Sequence, residues 1–375
     1  MIESIKFANY RAFKDEGNLV LRPVTLLIGR NSSGKSSLCR LIKFLSVALT
    51  ADEWPSLDAS SVGFSFGGSD IFFGRMTSGP LMIGADFNDG IEFRTEYYLD
   101  ALDAKRIMKV LSRSVSKGEK KSVRNDMDAL RKEGNALLDQ EMLGDVGLDR
   151  GMFSFGMNYI QSLRATAKTV YRQGDAYGYG NVGNDGSNAY PMLLDSFLKK
   201  DSSLFPQVAE WMEINLDGQK LDIESDLENF EFRIVRAKNS VRIQDVGQGI
   251  SQVLPLIVQA FVQKQGDVTV IEEPELHLHP SAHAAVMECL ANSAMQHGCK
   301  YVIETHSENM ILALRRMVRR RQLSKDDVSI AYVDMDEQSG EAVVKPIGVN
   351  ENGSLSWWPT GVFGEAYDLL NDILG

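Results

Sequence analysis

The hydrophobic and polar residues of the first hundred positions show two patterns, one typical of strands and one typical of helices. A run of apolar and β-branched residues at 23–28 stops at Gly29, which is typical of a buried strand that ends in a turn. Residues 36–49 then place apolar side chains three and four positions apart, which predicts an amphipathic helix. Residues 81–98 are strand-like on both sides of Asn88-Asp89-Gly90, which predicts a hairpin closed by that turn.

The second half of the chain alternates strand-like and helix-like segments. Strands are predicted at 230–235, 268–271, 301–304 and 328–333, and helices at 249–262, 280–295 and 309–320. Such alternation indicates an α/β fold with a mixed, largely parallel sheet.

The middle of the chain has a different composition. Residues 101–143 are rich in Lys, Arg, Asp, Glu, Ala and Leu, which predicts one or two amphipathic helices that break near Lys117-Gly118. Glycine-rich stretches at 63–79 and 174–188 predict loops. The last segment, 348–375, is predicted to be a short module that ends in a helix.

Charge limits the partners that the protein can have. The 375 residues carry a formal net charge of −11, which excludes a uniformly basic coat for nucleic acid. Binding of DNA or RNA would need a local patch, for which the candidates are Arg315, Arg316, Arg319, Arg320, Arg321 and Lys325. A solvated helix face is the favoured interpretation of this cluster.

The cysteines and the absence of long apolar runs indicate the compartment. Cys39, Cys289 and Cys299 are few and widely spaced, which favours reduced thiols in a cytosolic protein. The N-terminus lacks the apolar core of a signal peptide. No run of about 18 uncharged apolar residues occurs, so no membrane span is predicted. We therefore expect a cytoplasmic protein with no membrane partner.

Residues 29–36, with the sequence GRNSSGKS, match the eight-residue phosphate-loop pattern and lie between a predicted strand and a predicted helix. A loop of small residues and a helix N-terminus supply the close N–H donors that triphosphate oxygens need. Lys35 is predicted to bridge the β- and γ-phosphates and Ser36 to ligate Mg²⁺. The alternative is a glycine-rich turn that caps a helix. The residues assigned to ATP are Gly29, Asn31, Ser32, Gly34, Lys35, Ser36 and Ser37.

Acidic residues follow the apolar strand at 268–271. Parallel sheets place ligands at the carboxyl ends of their strands, so we interpret Glu272-Glu273-Pro274-Glu275 as a Walker B segment. Glu272 is predicted to hold Mg²⁺, and Glu273 to orient and polarise the attacking water. The alternative is an acidic N-terminus that suits the dipole of the following helix.

Two further segments complete the candidate site. His306 lies 33 residues after Glu273, where the next strand ends, and is predicted to reach the γ-phosphate; a core histidine is the alternative. Residues 245–252 contain Gly247, Gly249, Ser251 and Gln252 at a helix start, which predicts a second anion site. One ATP does not need two such sites, so the second is predicted to grip a nucleotide bound to another subunit. A plain glycine-rich helix cap is the alternative.

Together these segments resemble the ABC-type ATPase heads of the SMC, RecF and OLD families, and especially the single-chain OLD/RecF-like AAA ATPases, many of which lie in anti-phage defence operons. The matching segments are 9–13, 29–37, 245–255, 272–280 and 304–308, and residues 159–164, 182–186 and 356–359 with Phe363 also resemble members of that group. The resemblance implies a head-to-head dimer with two ATP molecules between one subunit's phosphate loop and the other's 245–252 signature. It also implies that Arg11 lies near the nucleotide.

The chain departs from this family pattern in three places. No clear glutamine-loop residue is present, and Asp70 is a weak substitute for it. Glu272 replaces the commoner Asp, which lengthens the reach to the metal by one methylene. OLD nucleases carry a metal-dependent nuclease domain after the head, whereas only 69 residues follow His306, with Asp334 and Asp336 as the one close acid pair. We therefore expect no such domain.

These inferences give an α/β, ABC/SMC-type P-loop ATPase head with a helical insertion. Its expected parts are an N-terminal ATPase lobe (1–98), the helical insertion (99–158), a C-terminal ATPase lobe with the signature, Walker B and His306 (159–347), and a tail module (348–375). The leading hypothesis is an ATPase that dimerises around ATP and Mg²⁺ and controls a separate effector, such as a nuclease or toxin, in anti-phage defence. The alternatives are an ATP-holding sensor or scaffold with negligible turnover, a RecF-like DNA repair ATPase and, ranked last, a transporter subunit.

Overall fold

The computed structural model describes residues 1–50, 68–75, 77–99, 108–125, 138, 140–199, 203–226, 228–360 and 362. The chain divides into two units, of which unit 1 comprises Met1–Met157, Ser329–Gly348 and Trp357–Gly375, and unit 2 comprises Asn158–Val328 and Val349–Ser356. Several predictions fall outside the described residues. They are the parts of the predicted loop at 63–67 and 76, the parts of the predicted helices at 101–107 and 126–137, Phe363 and the C-terminal helix.

Unit 1 is built mainly from strands. These are β1 (Ile2–Ala8), β2 (Gly17–Val20), β3 (Val24–Ile28), β4 (Leu81–Phe87), β5 (Ile91–Leu99), β6 (Met108–Lys117), β7 (Lys120–Arg124), β15 (Val328–Met335) and β16 (Ala342–Ile347). Its α-helices are α1 (Lys35–Thr50) and α2 (Gln140–Val146).

The strands of unit 1 form two groups. One is an antiparallel sheet in the order β2-β1-β4-β5-β6-β7, and the other has β3 beside β15, which pairs with β16. The predicted hairpin is confirmed, because β4 and β5 pair in register and Asp89 and Gly90 adopt positive φ in the turn between them. All five residues of β3 are buried, as expected for the apolar run that precedes the phosphate loop.

The predicted helices at 101–143 are wrong for residues 108–124. These residues form β6 and β7, a hairpin with Gly118 at φ 57° in its turn, and β6 extends the antiparallel sheet by pairing with β5. The Ser, Arg and Val residues at 112–116 alternate, and Val115 is fully buried. Pairing with an existing strand outweighed the helix propensity of the flanking Lys and Leu residues, because strand preference depends on neighbours that only the fold supplies.

Unit 2 contains the remaining elements. Its strands are β8 (Met157–Ile160), β9 (Tyr171–Arg172), β10 (Lys220–Asp226), β11 (Asn229–Arg236), β12 (Asn239–Arg242), β13 (Val268–Glu272) and β14 (Lys300–Glu304). Its helices are α3 (Ala189–Lys199), α4 (Leu204–Asn215), α5 (Gln248–Val262), α6 (Pro280–His297) and α7 (Glu308–Arg319).

The strands β13 and β14 of unit 2 pair in parallel. Each residue from Val268 to Glu272 faces a residue from Lys300 to Glu304, so Glu272 and Glu304 end the two strands at the same level. A second sheet, β10-β11-β12 with β9 beside β11, is antiparallel. The predicted α/β class with mixed sheets is confirmed. Among the described helices, none combines the length and the apolar character needed to cross a bilayer.

The loop predicted at 174–188 packs into unit 2 instead of extending from it. Its Asn184 carbonyl accepts from the Gln161 N–H at 2.9 Å, and its Asp185 carbonyl accepts from the Ala165 N–H at 2.7 Å. Gly186, at φ 75°, lies so close to α5 that a Cβ atom there would be 2.6 Å from the Pro255 Cβ atom. The loop therefore fixes the segment that follows β8 against α5.

We expect Gly186→Ala to destabilise the protein more than Gly218→Ala. Both glycines have φ 75°, but a Cβ atom at Gly218 would meet nothing within 4 Å. The control should lose roughly 1–2 kcal/mol for the left-handed backbone, and Gly186→Ala about 1–3 kcal/mol more for the overlap with Pro255. Urea titration of both variants measures the difference, and equal losses would contradict this packing.

Candidate functional site

The phosphate loop of unit 1 has the predicted strand–loop–helix context. The buried strand β3 ends at Ile28, and α1 begins at Lys35. Gly29, Ser32 and Gly34 adopt φ values of 151°, 62° and 107°. A Cβ atom at Gly29 would overlap the Val333 carbonyl oxygen, so this position requires glycine. The turn leads directly into the N-terminus of α1, the kind of helix end that binds phosphate groups.

Two polar groups inside this loop indicate what it binds. The Lys35 side chain is only 3% exposed, and its Nζ donates to the carbonyl oxygens of Gly29 at 3.0 Å and Arg30 at 2.8 Å. The Ser33 hydroxyl is buried and has no hydrogen-bond partner among the described residues. Since a buried polar atom without a partner is costly, the loop is suited to a ligand with phosphate oxygens. ATP fits this set of donors.

The segment at 9–13 packs against the phosphate loop within unit 1. The Tyr10 hydroxyl donates to the Ser37 carbonyl at 2.8 Å, and a Cβ atom at Gly34 would be 3.1 Å from the Phe13 ring. Arg11 adopts φ 54°, and its N–H donates to the Ile71 carbonyl at 2.8 Å. Burial lowers the pKa of Arg11, and the nearby Asp70 opposes that shift. Contact between Arg11 and the nucleotide stays a prediction.

In unit 2, three side chains that could bind a metal ion lie close together where β13 and β14 end. One ligand atom each from Glu273, Glu304 and His306 lies within 4.8 Å of the others. Glu304 is 4% exposed, whereas the His306 side chain is exposed. Two carboxylates and an imidazole can share a divalent cation or a water molecule. Glu273 and His306 were predicted from the sequence, whereas Glu304 was not, although its position at a strand end close to His306 was a signal for it.

The backbone around Glu273 is held in an uncommon conformation. Glu273 has φ 43°, a left-handed value that costs a non-glycine residue about 1–3 kcal/mol. Its N–H donates to the Glu304 carbonyl at 2.8 Å, which joins the two strand ends beyond the sheet. Such strain is found where the surrounding structure fixes a functional side chain.

Glu275, in the turn that follows β13, holds the backbone of His306. The His306 N–H donates to Glu275 Oε1, while Glu275 Oε2 is buried without a partner among the described residues. Burial raises the pKa of Glu275, and the charge of Glu273 adds to this rise. The third acid of the Glu-Glu-Pro-Glu sequence is therefore a positioning residue that sequence reasoning did not assign.

Glu272, the predicted Mg²⁺ ligand, has a neighbour that sequence reasoning missed. The Tyr159 hydroxyl donates to Glu272 Oε1. This hydrogen bond orients the carboxylate. Glu272 does not belong to the three-residue group of Glu273, Glu304 and His306, and its role as a metal ligand stays a prediction.

The predicted signature lies at the start of α5, but its residues differ in exposure. Gly247 and Gln248 are exposed, and Gly247 lines a cavity of about 250 Å³ together with His277 and His279. A Cβ atom at Gly249 would be 2.7 Å from the His277 carbonyl oxygen, so Gly249 allows the helix to approach that turn.

Ser251 and Gln252 are turned into the interior of unit 2. They are 2% and 5% exposed, and both ends of the Gln252 amide bond to the backbone of Arg164. Neither side chain reaches the surface in this structure, and their contact with a second subunit's phosphate stays a prediction. The exposed end of the helix is formed by Gly247 and Gln248, one turn earlier.

Comparison with protein families identifies two regions of the chain. A family model described as an AAA ATPase domain matches residues 1–137 and 187–311. A second model, for a protein of unknown function (DUF3696), matches residues 323–373, which include the tail with Trp357 and Trp358.

Similar individual proteins include a phage protein and two solved structures. The Old nuclease of Escherichia phage P2 is 23% identical over 359 residues, which cover 87% of this chain; the match spans 59% of that relative's length. The SMC head domain from Thermotoga maritima is 11% identical over 93% of this chain and 99% of that one, with a TM-score of 0.47. A SmcHead bound to the C-winged helix domain of ScpA is 14% identical over 92% and 98%, with a TM-score of 0.49. The family match and the phage relative confirm the resemblance to OLD-type ATPases.

We expect Ser33→Ala to weaken nucleotide binding without destabilising the protein. The hydroxyl has no partner to lose in the nucleotide-free loop, so the free energy of unfolding should stay within about 0.5 kcal/mol of the parent. Loss of one hydrogen bond to phosphate should weaken binding of a fluorescent ATP analogue roughly 2- to 10-fold.

The matched control is Ser46→Ala in α1, whose hydroxyl donates to the Lys43 carbonyl at 2.8 Å. It should cost about 1 kcal/mol of stability and leave nucleotide affinity unchanged. Parental affinity in Ser33→Ala would show that this hydroxyl does not meet the ligand.

Proposed function

Because the chain belongs to the AAA ATPase domain family, we propose that it is an ATPase of the SMC/OLD type. It hydrolyses ATP with Mg²⁺ while two copies of the chain associate around the nucleotide. The phosphate loop carries this proposal, because its buried Lys35 ammonium and unpartnered Ser33 hydroxyl suit an anion with several oxygens. The cluster of Glu273, Glu304 and His306 supports hydrolysis instead of binding alone.

In the proposed reaction the phosphate loop binds and orients ATP. The N–H groups at the start of α1 and the Lys35 ammonium hold the β- and γ-phosphates, and Ser36 with Glu272 would hold Mg²⁺. Bound Mg²⁺ would neutralise charge that develops on the phosphate oxygens.

Glu273 and His306 act on the attacking water in this proposal. The Glu273 carboxylate accepts a hydrogen bond from the water and so orients it toward phosphorus. The His306 imidazole, fixed through its backbone N–H by Glu275, donates to an oxygen of the transferred group or to Glu273. Glu304 supplies a second carboxylate beside both side chains.

Association of two copies uses the exposed start of α5. The N–H groups near Gly247 and Gln248 form a positive helix end that faces solvent, and the adjacent cavity leaves room for an anionic group. A γ-phosphate that satisfies donors from two chains would hold them together, and its hydrolysis would release them.

The output of this cycle is proposed to lie in an effector partner, such as a nuclease or toxin, in anti-phage defence. The phage relative named Old nuclease supports that class of output. None of the three cysteines, all of which lie in the described residues, forms a disulfide, and this supports the cytosolic location predicted from the sequence. A direct nucleic-acid role, as in a RecF-like repair ATPase, has weaker support, because Arg315 Nε donates to the Gly353 carbonyl and Arg316 pairs with Glu288.

We expect Glu273→Gln to lower ATP turnover by roughly 10²- to 10⁴-fold, because the amide cannot accept the proton of the attacking water. With ATP and Mg²⁺, light scattering should show this variant accumulating as a dimer, since it binds the nucleotide without consuming it. Pull-down with the same locked variant tests for the effector.

Two control variants sharpen this experiment. Lys35→Ala should prevent both nucleotide binding and association, whereas Glu210→Gln on the exposed face of α4 should behave as the parent does. Equal, near-zero turnover in the parent and in Glu273→Gln would favour an ATP-holding sensor. A monomeric Glu273→Gln variant with bound ATP would refute the shared-nucleotide proposal.

A further inference from the structure

A buried arginine in unit 2 connects the signature helix to the catalytic turn. Arg164 lies in the segment after β8 and is 5% exposed. Its Nη2 atom donates to the carbonyl oxygens of Glu272 at 2.6 Å and Glu273 at 3.2 Å. Its Nη1 atom donates to the Gln252 carbonyl in α5 at 3.4 Å. One guanidinium therefore touches the backbone at both places.

The Gln252 side chain completes this connection from the other side. Its Oε1 accepts from the Arg164 N–H at 3.1 Å, and its Nε2 donates to the Arg164 carbonyl at 2.9 Å. The side chain of each residue thus bonds to the backbone of the other. A reciprocal pair of this kind fixes both chain segments in distance and direction, because neither side chain can turn away without losing its partners.

Nearby packing holds the same segments in place. The loop at 184–185 accepts from the N–H groups of Gln161 and Ala165, on both sides of Arg164. Gly249 approaches the His277 carbonyl in the turn that follows Glu273. Movement of the α5 start would therefore be passed to the catalytic turn by contacts at both ends.

Burying a charged guanidinium at this position costs free energy, which suggests that Arg164 has more than a packing role. Burial lowers the pKa of Arg164 to about 10, while Glu275, Glu273 and Glu272 oppose this shift. The guanidinium stays protonated at neutral pH, yet its Nε atom is buried without a partner. Apolar residues often stabilise a core better than a buried charge does, whereas a planar fork of donors can set the direction of several carbonyl groups together.

We propose that Arg164 and Gln252 form a positioning link that sets the Glu273 carboxylate in response to the position of the α5 start. When a second copy's nucleotide occupies the exposed Gly247–Gln248 end, displacement of α5 shifts the Glu272 and Glu273 carbonyl groups through Arg164. Glu273 takes its hydrolytic position only in the associated state. This inference rests on the proposed function and adds the part that ties hydrolysis to association.

The test separates association from turnover. Arg164→Lys keeps the charge but loses the fork, and Gln252→Ala breaks the link from the other side. Each variant should bind ATP with the parent's affinity, and in a Glu273→Gln background should form the ATP-bound dimer at the parent's concentration midpoint. With Glu273 intact, kcat should fall at least tenfold with KM unchanged. The double variant Arg164→Lys/Gln252→Ala should fall no further than the worse single variant.

A structural control distinguishes this link from simple loss of stability. Val208→Ala removes buried volume from α4, a helix that makes none of the link's hydrogen bonds, and should lower the melting temperature while keeping kcat at an assay temperature where the protein is folded. The proposal is overturned if folded Arg164→Lys and Gln252→Ala keep the parent's kcat, or if their effects multiply as independent changes do. Absence of turnover in the parent itself would instead refute the proposed ATPase function.

Discussion

Four carboxylates crowd the ends of two adjacent strands, and the rest of unit 2 has to hold them there. Glu272 and Glu304 end β13 and β14 at the same level, and Glu273 and Glu275 follow in the next turn. Like charges this close repel one another, and burial strengthens the repulsion. The Tyr159 hydroxyl and the His306 N–H donate to carboxylates of this group, and the Arg164 guanidinium donates to the backbone carbonyl of Glu272. The left-handed backbone at Glu273 shows that the turn is fixed by these contacts and not by its own preference.

The phosphate loop of unit 1 has to gather hydrogen-bond donors for an anion, whereas the turn in unit 2 gathers carboxylates. Its backbone must approach a highly charged ligand, so side chains are excluded at Gly29 and the lysine is kept against carbonyl oxygens. The unpartnered Ser33 hydroxyl is a polar group prepared for a ligand. The acid-rich turn of unit 2 is suited to activating water and the donor-rich loop of unit 1 to binding phosphate, and both features support the proposed hydrolysis of ATP.

Local sequence predicted the elements that have strong local signals. The buried strand before Gly29, the hairpin around Asn88-Asp89-Gly90, the strands β11 and β13 to β15 and the helices α5 to α7 were predicted, because hydrophobic periodicity and turn residues act over a few positions. The strands β10, β12 and β16 and the helices α3 and α4 were not predicted. The β6–β7 hairpin was missed, because its residues become a strand only through pairing with β5. Ser251 and Gln252 were assigned to a ligand from their place near glycines, and that their side chains are buried in α5 could not be seen from the sequence.

The residue types of the site, including Lys35, Glu273 and His306, can be read along the chain, because a phosphate loop and an acid-ended strand have short signatures whose chemistry is local. The supporting roles of Glu275, Tyr159 and Arg164 could not be assigned in that way. Their roles come from hydrogen bonds between segments up to 113 positions apart, and such partners are chosen by strand register and helix packing. The reacting groups therefore follow from primary structure, while their orientation and support are decided by tertiary structure, because a side chain's direction depends on neighbours that only folding brings within bonding distance.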